Sequence, residues 1–209
     1  IVIPAYNEES TIRSCVLAAL NQTVPAHEII VVDNMSTDLT SAILAELVSD
    51  FPDAPLRVLR QDAEQGITPT RNMGFDAVTA EVIGRIDSDS VVEPNWVEAT
   101  GALFRDVSID AATGPVTYYD MPLRRYMALA DDSARKAISR LVKQYHFLFG
   151  TNMALRRSAW KDVRKDICLD ADHEMFEDID LSVHLYDEGF TIVYAPEMVV
   201  GMSARRLDD

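Results

Sequence analysis

Two carboxylates on either side of a serine follow a short apolar run near the middle of the chain. The run is Ile83-Gly84-Arg85-Ile86, and Asp87-Ser88-Asp89 comes directly after it. In an open α/β sheet, ligands bind beyond the carboxyl ends of the strands, and hard cations such as Mg²⁺ prefer oxygen ligands. The spacing therefore indicates a divalent-cation site with room for phosphate oxygens. A turn at the end of a strand is the structural alternative for so short a pattern.

A second group of acids lies closer to the C-terminal end. Nine Asp and Glu residues and no Lys or Arg occur between positions 166 and 188, and Phe176-Glu177-Asp178-Ile179-Asp180-Leu181 lies inside this stretch. Leu181, His184 and Leu185 recur at helical spacing, so we predict a helix that starts near Asp178, where acidic side chains are stabilised. A solvated acidic face is the plain interpretation of this stretch.

Strands and helices must position these acids. Short apolar runs predict strands at residues 1–3, 29–32, 56–59 and 82–86, with a later strand at 111–119. Helical spacing between the first four strands predicts amphipathic helices, with N-caps at Asn7, at Ser36 or Thr37, and at Thr68. Pro94 is expected to open a further helix that ends at Phe104. This alternation predicts an α/β fold with a mostly parallel, Rossmann-like central sheet and helices on both faces.

Composition limits the class of protein. The 209 residues are 48% hydrophobic and 25% charged, which is typical of one globular domain. The net charge of −15 argues against nucleic acid as a partner, because such binding depends on Lys and Arg. Cys15 and Cys168 show no metal-ligand spacing, which favours a cytoplasmic location. No apolar run approaches the roughly 18 residues of a membrane span.

Five motifs occur in an order that is typical of a known family. They are Ile1-Val2-Ile3-Pro4-Ala5-Tyr6-Asn7-Glu8-Glu9, Val31-Val32-Asp33-Asn34-Met35-Ser36-Thr37-Asp38, Thr70-Arg71-Asn72-Met73-Gly74, Asp87-Ser88-Asp89 and Glu177-Asp178. Across nearly its whole length the chain resembles the family 2 glycosyltransferases, inverting nucleotide-sugar enzymes with the GT-A fold. The resemblance implies a single GT-A domain over residues 1–209, with a nucleotide-binding half at 1–90 and an acceptor-binding half at 91–209.

The resemblance places the nucleotide base beyond the first two strands. Pro4, Ala5 and Tyr6 would surround the base, Glu8 would lie near the ribose, and Asp33 would accept a hydrogen bond from the base. A planar base needs an apolar or aromatic wall and a few polar groups, which these residue types supply. The structural alternatives are a core position for Tyr6 and a turn cap for Asp33.

Phosphate, sugar and metal contacts are implied for three further residues. Arg71 would bind the nucleotide or its phosphates, since a guanidinium fork suits such oxygens, and an exposed helix arginine is the alternative. Asp87 would contact ribose or sugar, and Asp89 would bind Mg²⁺ or Mn²⁺. Many relatives place a histidine metal ligand near Val200-Gly201-Met202, and this chain has none there. Ligands beyond Asp89 are therefore left open.

The general base that the resemblance implies is Asp178. It would take the proton of an acceptor hydroxyl while that oxygen attacks the anomeric carbon from the face opposite the leaving diphosphate, which inverts configuration. Glu177 and Asp180 are competitors for this role because they stand beside Asp178 in the sequence.

Further contacts are implied for the acceptor and for the C-terminal end. Sugar or acceptor contacts are assigned to Gly150, Thr151 and Asn152, and diphosphate contacts to Arg205 and Arg206. A small-residue turn and a solvated terminus are the alternatives. The acceptor would be a saccharide or a lipid-linked molecule. Basic residues among apolar ones in the range 123–148 are compatible with peripheral contact at the inner face of a membrane, and a helix packed on the sheet is the simpler account.

Two other functions fit parts of the sequence. Asp87-Ser88-Asp89-Ser90-Val91 after an apolar strand also resembles the haloacid-dehalogenase phosphatase motif, in which the first aspartate is a nucleophile. That fold normally starts with the motif, whereas three strand-helix units precede it here. A non-catalytic nucleotide-sugar-binding module of GT-A shape is the other alternative. A uridine donor is the first expectation only because it is the commonest case in the family.

Overall fold

A computed structural model of the chain describes residues 1–119, 147–168 and 176–202. Its first part alternates strands with helices. The strands are β1 (Val2–Ala5), β2 (Ile29–Asp33), β3 (Leu56–Arg60) and β4 (Val82–Ile86). The helices between them are α1 (Ile12–Leu20), α2 (Thr40–Asp50) and α3 (Ile67–Ala77). The four strands predicted for this part are therefore confirmed.

Shorter strands dominate the second part of the chain. They are β5 (Ser90–Val92), β6 (Ala111–Thr113), β7 (Val116–Tyr118), β8 (Asn152–Arg156), β9 (Ile192–Tyr194) and β10 (Val200–Met202). The helices are α4 (Trp96–Leu103), α5 (Arg157–Val163) and α6 (Glu177–Asp187), so a helix does begin next to Asp178 as predicted.

Seven strands form the central sheet in the order β3-β2-β1-β4-β8-β6-β9. Strand β1 pairs in parallel with β2 and β4, while β8 runs antiparallel to both β4 and β6. A second sheet of three strands has the order β5-β10-β7. The predicted mostly parallel α/β sheet is confirmed.

The inner strands of the central sheet are buried on both faces, whereas the edge strands β3 and β9 are largely half-buried. Ile29 and Val31 join a core cluster with α1, α2 and α4, whereas Ile30 and Val32 point to the other face, where α3, α5 and α6 pack. Because successive side chains of a strand point to opposite faces, burial on both sides requires an unbroken apolar run. This requirement explains the Ile29-Ile30-Val31-Val32 pattern of the sequence.

The helix starts differ from the predicted caps. The residues that precede α1, α2 and α3 are Thr11, Leu39 and Gly66. Asn7 and Ser36 instead join the loops after β1 and β2: Ser36 Oγ accepts from the Asn7 amide at 3.0 Å, and Asn7 Oδ1 accepts from the Thr37 amide at 2.8 Å. Because β1 and β2 are paired in parallel, their following loops lie side by side and use each other's polar groups.

The strand predicted at residues 111–119 is two strands in two different sheets. Gly114 and Pro115 separate β6 from β7, and the chain crosses here from the central sheet to the small one. A Cβ placed on Gly114 would lie 2.0 Å from the Met198 carbonyl oxygen and 2.9 Å from that of Ala195. The crossing therefore needs a residue without a side chain.

We expect Gly114→Ala to lower the free energy of unfolding by about 3 kcal/mol, because backbone rather than a flexible side chain must move. Urea denaturation would measure the change. Gly101→Ala is the matched control, since nothing lies within 4 Å of its Cβ position inside α4. It should raise stability by about 0.5 to 1 kcal/mol, as alanine replaces glycine in a helix. Equal midpoints for both variants would contradict the packing argument.

Candidate functional site

A cavity of about 550 Å³ opens at the carboxyl ends of β1, β2 and β4. It is lined by Pro4, Ala5, Tyr6, Glu8, Asn34, Gln65, Gly66, Ile67, Thr70, Arg85, Asp87 and Ser88. Parallel strands end at one edge of the sheet, so loops that are far apart in sequence meet there. The fold thus brings together five residues that the sequence pointed to, namely Pro4, Ala5, Tyr6, Glu8 and Asp87.

A second cavity of about 220 Å³ adjoins the first. It is lined by Ile67, Arg85, Asp87, Gly150, Thr151, Phe176, Glu177 and Asp178. Ile67, Arg85 and Asp87 line both cavities, so the two cavities are direct neighbours. The second cavity also gathers four of the predicted acceptor-side and base residues, which are Gly150, Thr151, Glu177 and Asp178.

Arg85 stands at the junction of the two cavities. It lies on β4 two positions before Asp87, so both side chains point to the same face, and its Nη2 donates to Asp87 Oδ1 at 3.0 Å. Its Nη1 donates to Glu177. Burial acts to lower the pKa of Arg85, but the carboxylates of Glu177, Asp87 and Asp178 outweigh it and the pKa is raised. Arg85 therefore stays charged although only 2% of it is exposed.

Arg71 approaches the same carboxylate from α3. Its Nη1 donates to a Glu177 side-chain oxygen and, at 2.9 Å, to the Glu177 carbonyl, and its guanidinium lies 5.6 Å from the Trp160 ring centroid. Burial lowers the pKa of Arg71, and Glu177 offsets part of this. The side chain is fully buried and is not among the residues that line either cavity. Its expected contact with a nucleotide stays a prediction.

Glu177 and Asp178 differ sharply in their surroundings. Each carboxylate oxygen of Glu177 accepts from a different arginine, so this side chain is committed to ion pairs. Asp178 is half-buried on the cavity wall, where its Oδ2 accepts from the Gly150 amide and its Oδ1 from the Ile179 amide, both at 2.9 Å. The geometry favours Asp178 over Glu177 as the group that can receive a proton.

Asp180 lies outside both cavities. Its Oδ2 accepts from the Cys168 amide at 3.1 Å, and its Oδ1 lies 3.3 Å from His184 Nε2. The contact with Cys168 ties α6 to the segment after α5, and the contact with His184 lies within α6, so the carboxylate has a structural use.

Asp33 is buried at the end of β2 and serves the turn that follows. It accepts from the Ser36 amide at 3.2 Å and from the Ser41 hydroxyl, and Arg60 Nη1 lies 3.5 Å away. Its neighbour Asn34 lines the larger cavity and holds that wall in place, because its Oδ1 accepts from the Gly66 amide at 2.7 Å. A contact between Asp33 and a base stays a prediction.

The carboxylates after β4 fit a divalent cation by their chemistry. Asp87 lines the site, whereas Asp89 is buried at the end of the turn into β5 and is not among the residues that line either cavity. Mg²⁺ and Mn²⁺ are commonly held by one or two protein carboxylates together with substrate phosphates and water. Among the described residues, no three His, Cys, Asp or Glu side chains form a metal-binding group.

One predicted contact residue lies away from the site, and two others fall outside the described residues. Asn152 is fully buried in β8, where it accepts from Trp96 Nε1 at 2.9 Å and donates to the carbonyls of Pro115 and Met198 at 3.0 and 2.6 Å. It is not among the residues that line either cavity. Its hydrogen bonds join β8 to the two segments, at Pro115 and at Met198, where the chain passes from the central sheet to the small sheet. Arg205 and Arg206 lie outside the described residues, as does the range 120–146, which contains most of the basic segment.

Sequence reasoning missed several residues of the site. Arg85, Gln65, Gly66, Ile67 and Phe176 line the cavities without having been singled out. The signal for Arg85 was present, because it is a charged residue inside an apolar strand and faces the same way as Asp87. The loop before α3 offered no such signal, since nothing local shows that it bends over the ends of β1 and β2.

No helix among the described residues combines the length and the apolar character that are needed to cross a membrane.

Two solved structures are similar to the chain in fold. The mannosyltransferase PcManGT from Pyrobaculum calidifontis, in complex with GDP-Man and Mn²⁺, matches with a TM-score of 0.72 and 19% identity over 97% of this chain and 56% of that chain. S. aureus TarS 1-349 in complex with UDP-GlcNAc matches with a TM-score of 0.71 and 19% identity, over 97% and 57%. These likenesses confirm the predicted GT-A fold.

The sequence also matches curated glycosyltransferases. Glycosyltransferase AglE of Haloferax volcanii is 29% identical over 120 residues, which are 56% of this chain and 39% of AglE, so the chain spans about two fifths of that relative's length. The model of the family described as Glycosyl transferase family 2 matches residues 1–164. Since that match covers most of the 209 residues, the chain belongs to glycosyl transferase family 2.

Proposed function

We propose that the chain is an inverting glycosyltransferase domain that moves a sugar from a nucleoside diphosphate sugar to an acceptor hydroxyl, with Asp178 as the general base. One observation carries this proposal. The larger cavity, lined by motif residues expected to bind a nucleotide, shares the lining residues Ile67, Arg85 and Asp87 with the smaller cavity, whose wall includes Asp178. A donor site and a base thus lie side by side, as a single displacement requires.

The larger cavity suits a nucleotide. Tyr6, Pro4 and Ala5 offer a flat and largely apolar wall, Tyr6 is 48% exposed, and Glu8 and Asn34 add polar groups beside it. In the proposed arrangement the base lies on Tyr6 and the diphosphate points toward Asp87. This places the nucleotide in the half at 1–90, and the anomeric carbon near the junction at Arg85.

Asp87 and Asp89 are the residues that would hold a divalent cation. A bound Mg²⁺ or Mn²⁺ supplies Lewis-acid stabilisation of the negative charge that develops on the diphosphate leaving group. Such a cation also explains how a chain of net charge −15 accepts an anionic donor. The Mn²⁺ in the complex of PcManGT supports this assignment.

Asp178 performs the proton transfer in this proposal. The acceptor oxygen forms a bond to the anomeric carbon, its proton passes to Asp178, and the bond from that carbon to the diphosphate oxygen breaks with its electron pair leaving on the nucleotide. The Gly150 and Ile179 amides hold the Asp178 carboxylate by one bond to each oxygen, which orients it at the cavity wall. Attack from the side opposite the leaving group inverts configuration.

The smaller cavity suits a sugar acceptor. Phe176 is 75% exposed and lines this cavity together with Ile67, while Asp178 and Thr151 supply polar contacts. Amphipathic sugar rings match such a mixture of one apolar face and a few hydrogen-bonding groups. The acceptor is therefore a saccharide, free or lipid-linked, and in the second case the protein would work at the inner face of a membrane.

The nucleotide base is the least determined part of the donor. UDP is the first candidate; of the two structural neighbours, TarS holds UDP-GlcNAc and PcManGT holds GDP-Man. No observation favours the phosphatase reading, since the chain belongs to glycosyl transferase family 2.

Calorimetric titration with UDP, GDP and TDP, in Mn²⁺ and then in chelator, tests the donor site. We expect one nucleotide to bind in Mn²⁺, and Asp89→Asn or chelator to weaken its binding by about 10-fold or more, since a metal-bridged phosphate contact is lost. Glu46→Asn, on the exposed side of α2, is the control and should bind as the wild type does. Failure of all three nucleotides to bind would refute the proposed donor site. Binding without nucleotide release over a broad sugar-acceptor panel would favour a non-catalytic module.

A further inference from the structure

One arginine connects the two halves of the candidate site. The Arg85 guanidinium bridges Asp87, on the donor side, and Glu177, in the first turn of α6. The candidate base Asp178 is the next residue after Glu177. Any movement of Arg85 therefore acts on the turn that carries the base.

Two separate restraints on Asp178 depend on Arg85. The first is the ion pair to Glu177, which fixes the start of α6 together with Arg71. The second passes through Gly150, whose amide donates to Asp178 Oδ2 at 2.9 Å. A Cβ on Gly150 would lie 2.2 Å from Arg85 Nη1, so the Gly150 backbone packs directly against the guanidinium.

We propose that Arg85 is a positioning residue that sets the place of the base Asp178 relative to the donor. Arg85 donates to Asp87, where the sugar is expected, and to Glu177, the residue before Asp178. Its guanidinium also packs against Gly150, whose amide donates to Asp178. This inference rests on the proposed function, and it adds a residue that acts through Asp178 rather than on the reacting atoms.

Arg85→Met is the suitable probe because it leaves a balanced pair behind. Glu177 keeps its ion pair with Arg71 in this variant. Asp87 loses its arginine partner, but its side chain is partly exposed, so water can solvate the carboxylate. Arg85→Lys is the conservative variant. Lysine keeps the charge but lacks the fork that reaches Asp87 and Glu177 at once, so it should recover only part of the loss. Arg13→Met, on an exposed ion pair, is the control.

Catalysis gives the first readout, with UDP-GlcNAc or GDP-mannose, Mn²⁺ and a panel of mono- and disaccharides. Arg85→Met should lower kcat about 10- to 100-fold, as expected for a misplaced base, and raise the nucleotide Kd less than about 10-fold, although Arg85 lines the larger cavity. The decisive comparison is with Asp178→Asn. If Arg85 acts through Asp178, the double variant is no slower than Asp178→Asn alone. Multiplied effects, or a nucleotide Kd raised about 10-fold or more, would overturn the positioning role.

Hydrogen exchange gives a readout that does not need turnover. Arg85→Met should speed exchange of the Gly150 and Ile179 amides, which donate to Asp178, while amides of β2 keep their protection. Unchanged exchange at both amides overturns the inference. A wild type that releases no nucleotide, but whose exchange responds as expected, counts against the proposed function alone. A general loss of protection, with kcat per nucleotide-binding molecule unchanged, assigns Arg85 a merely structural role.

Discussion

Asp178→Asn should lower the rate of sugar transfer by about 10²- to 10⁴-fold, which is the usual contribution of a general base. The amide keeps the shape of the carboxylate but cannot take the acceptor proton. Nucleotide affinity should stay within about threefold of wild type, because Asp178 lines only the smaller cavity. Initial rates of nucleoside diphosphate release with a saccharide acceptor, and calorimetry with the same nucleotide, measure the two quantities.

Asp180→Asn is the matched control, as it makes the same change one half-turn along α6. Asp180 lies outside both cavities and contacts His184 and Cys168, so kcat should change less than about threefold. If Asp180→Asn were the slower variant, the base would be assigned wrongly. If both variants kept full activity, proton transfer would have to pass to another group.

Glu177→Gln should cost about 3 to 5 kcal/mol of unfolding free energy, because it removes the carboxylate that both Arg71 and Arg85 share. Glu177 is 8% exposed and the two arginines are almost fully buried, so water cannot replace the lost partner. A glutamine of the same size still accepts one hydrogen bond but leaves the cluster with excess positive charge. Chemical denaturation, analysed by midpoint and slope, measures the change.

The matched control is Glu46→Gln, which removes one partner of the exposed Arg13 ion pair. Exposed pairs contribute about 0 to 1 kcal/mol, so this variant should unfold close to wild type. A further test is Arg71→Met, which leaves Glu177 paired with Arg85 and should cost less than Glu177→Gln. Equal stability of Glu177→Gln and wild type would show that Glu177 is not needed to balance the two guanidinium groups.

Local patterns were sufficient to predict the framework. Short apolar runs located β1 to β4, and the run of β2 is unbroken because a strand buried on both faces must be apolar at every position. The strand ends then predicted the edge of the sheet where Asp87 would meet a ligand, since parallel strands present their carboxyl ends at one edge, and the family resemblance added Pro4, Tyr6 and Glu8 to that site. Motif order, which is likewise a property of the sequence, indicated the family.

The exact boundaries of the helices and strands were less predictable. Asn7 and Ser36 have the chemistry of helix caps. The parallel pairing of β1 with β2 instead brings the loops after these strands together, and the Asn7 amide donates to Ser36 Oγ. Likewise, the run at 111–119 was predicted as one strand although Gly114-Pro115 is a turn signal inside it, and the close packing of Gly114 against Met198 shows that the chain changes sheets there.

The sequence by itself determined the fold class, the edge of the sheet where the site lies and the carboxylates that can do chemistry, because periodicity and strand ends are local properties. Only the tertiary structure decided which of those carboxylates lie on the cavity wall and which are occupied by ion pairs. Arg71 and Glu177 are 106 positions apart, yet they form an ion pair in which the arginine is fully buried and the glutamate carboxylate is occupied. Asp178, the next residue, remains on the cavity wall. A contact over such a separation arises from the packing of α3, β4 and α6, and no local pattern encodes it.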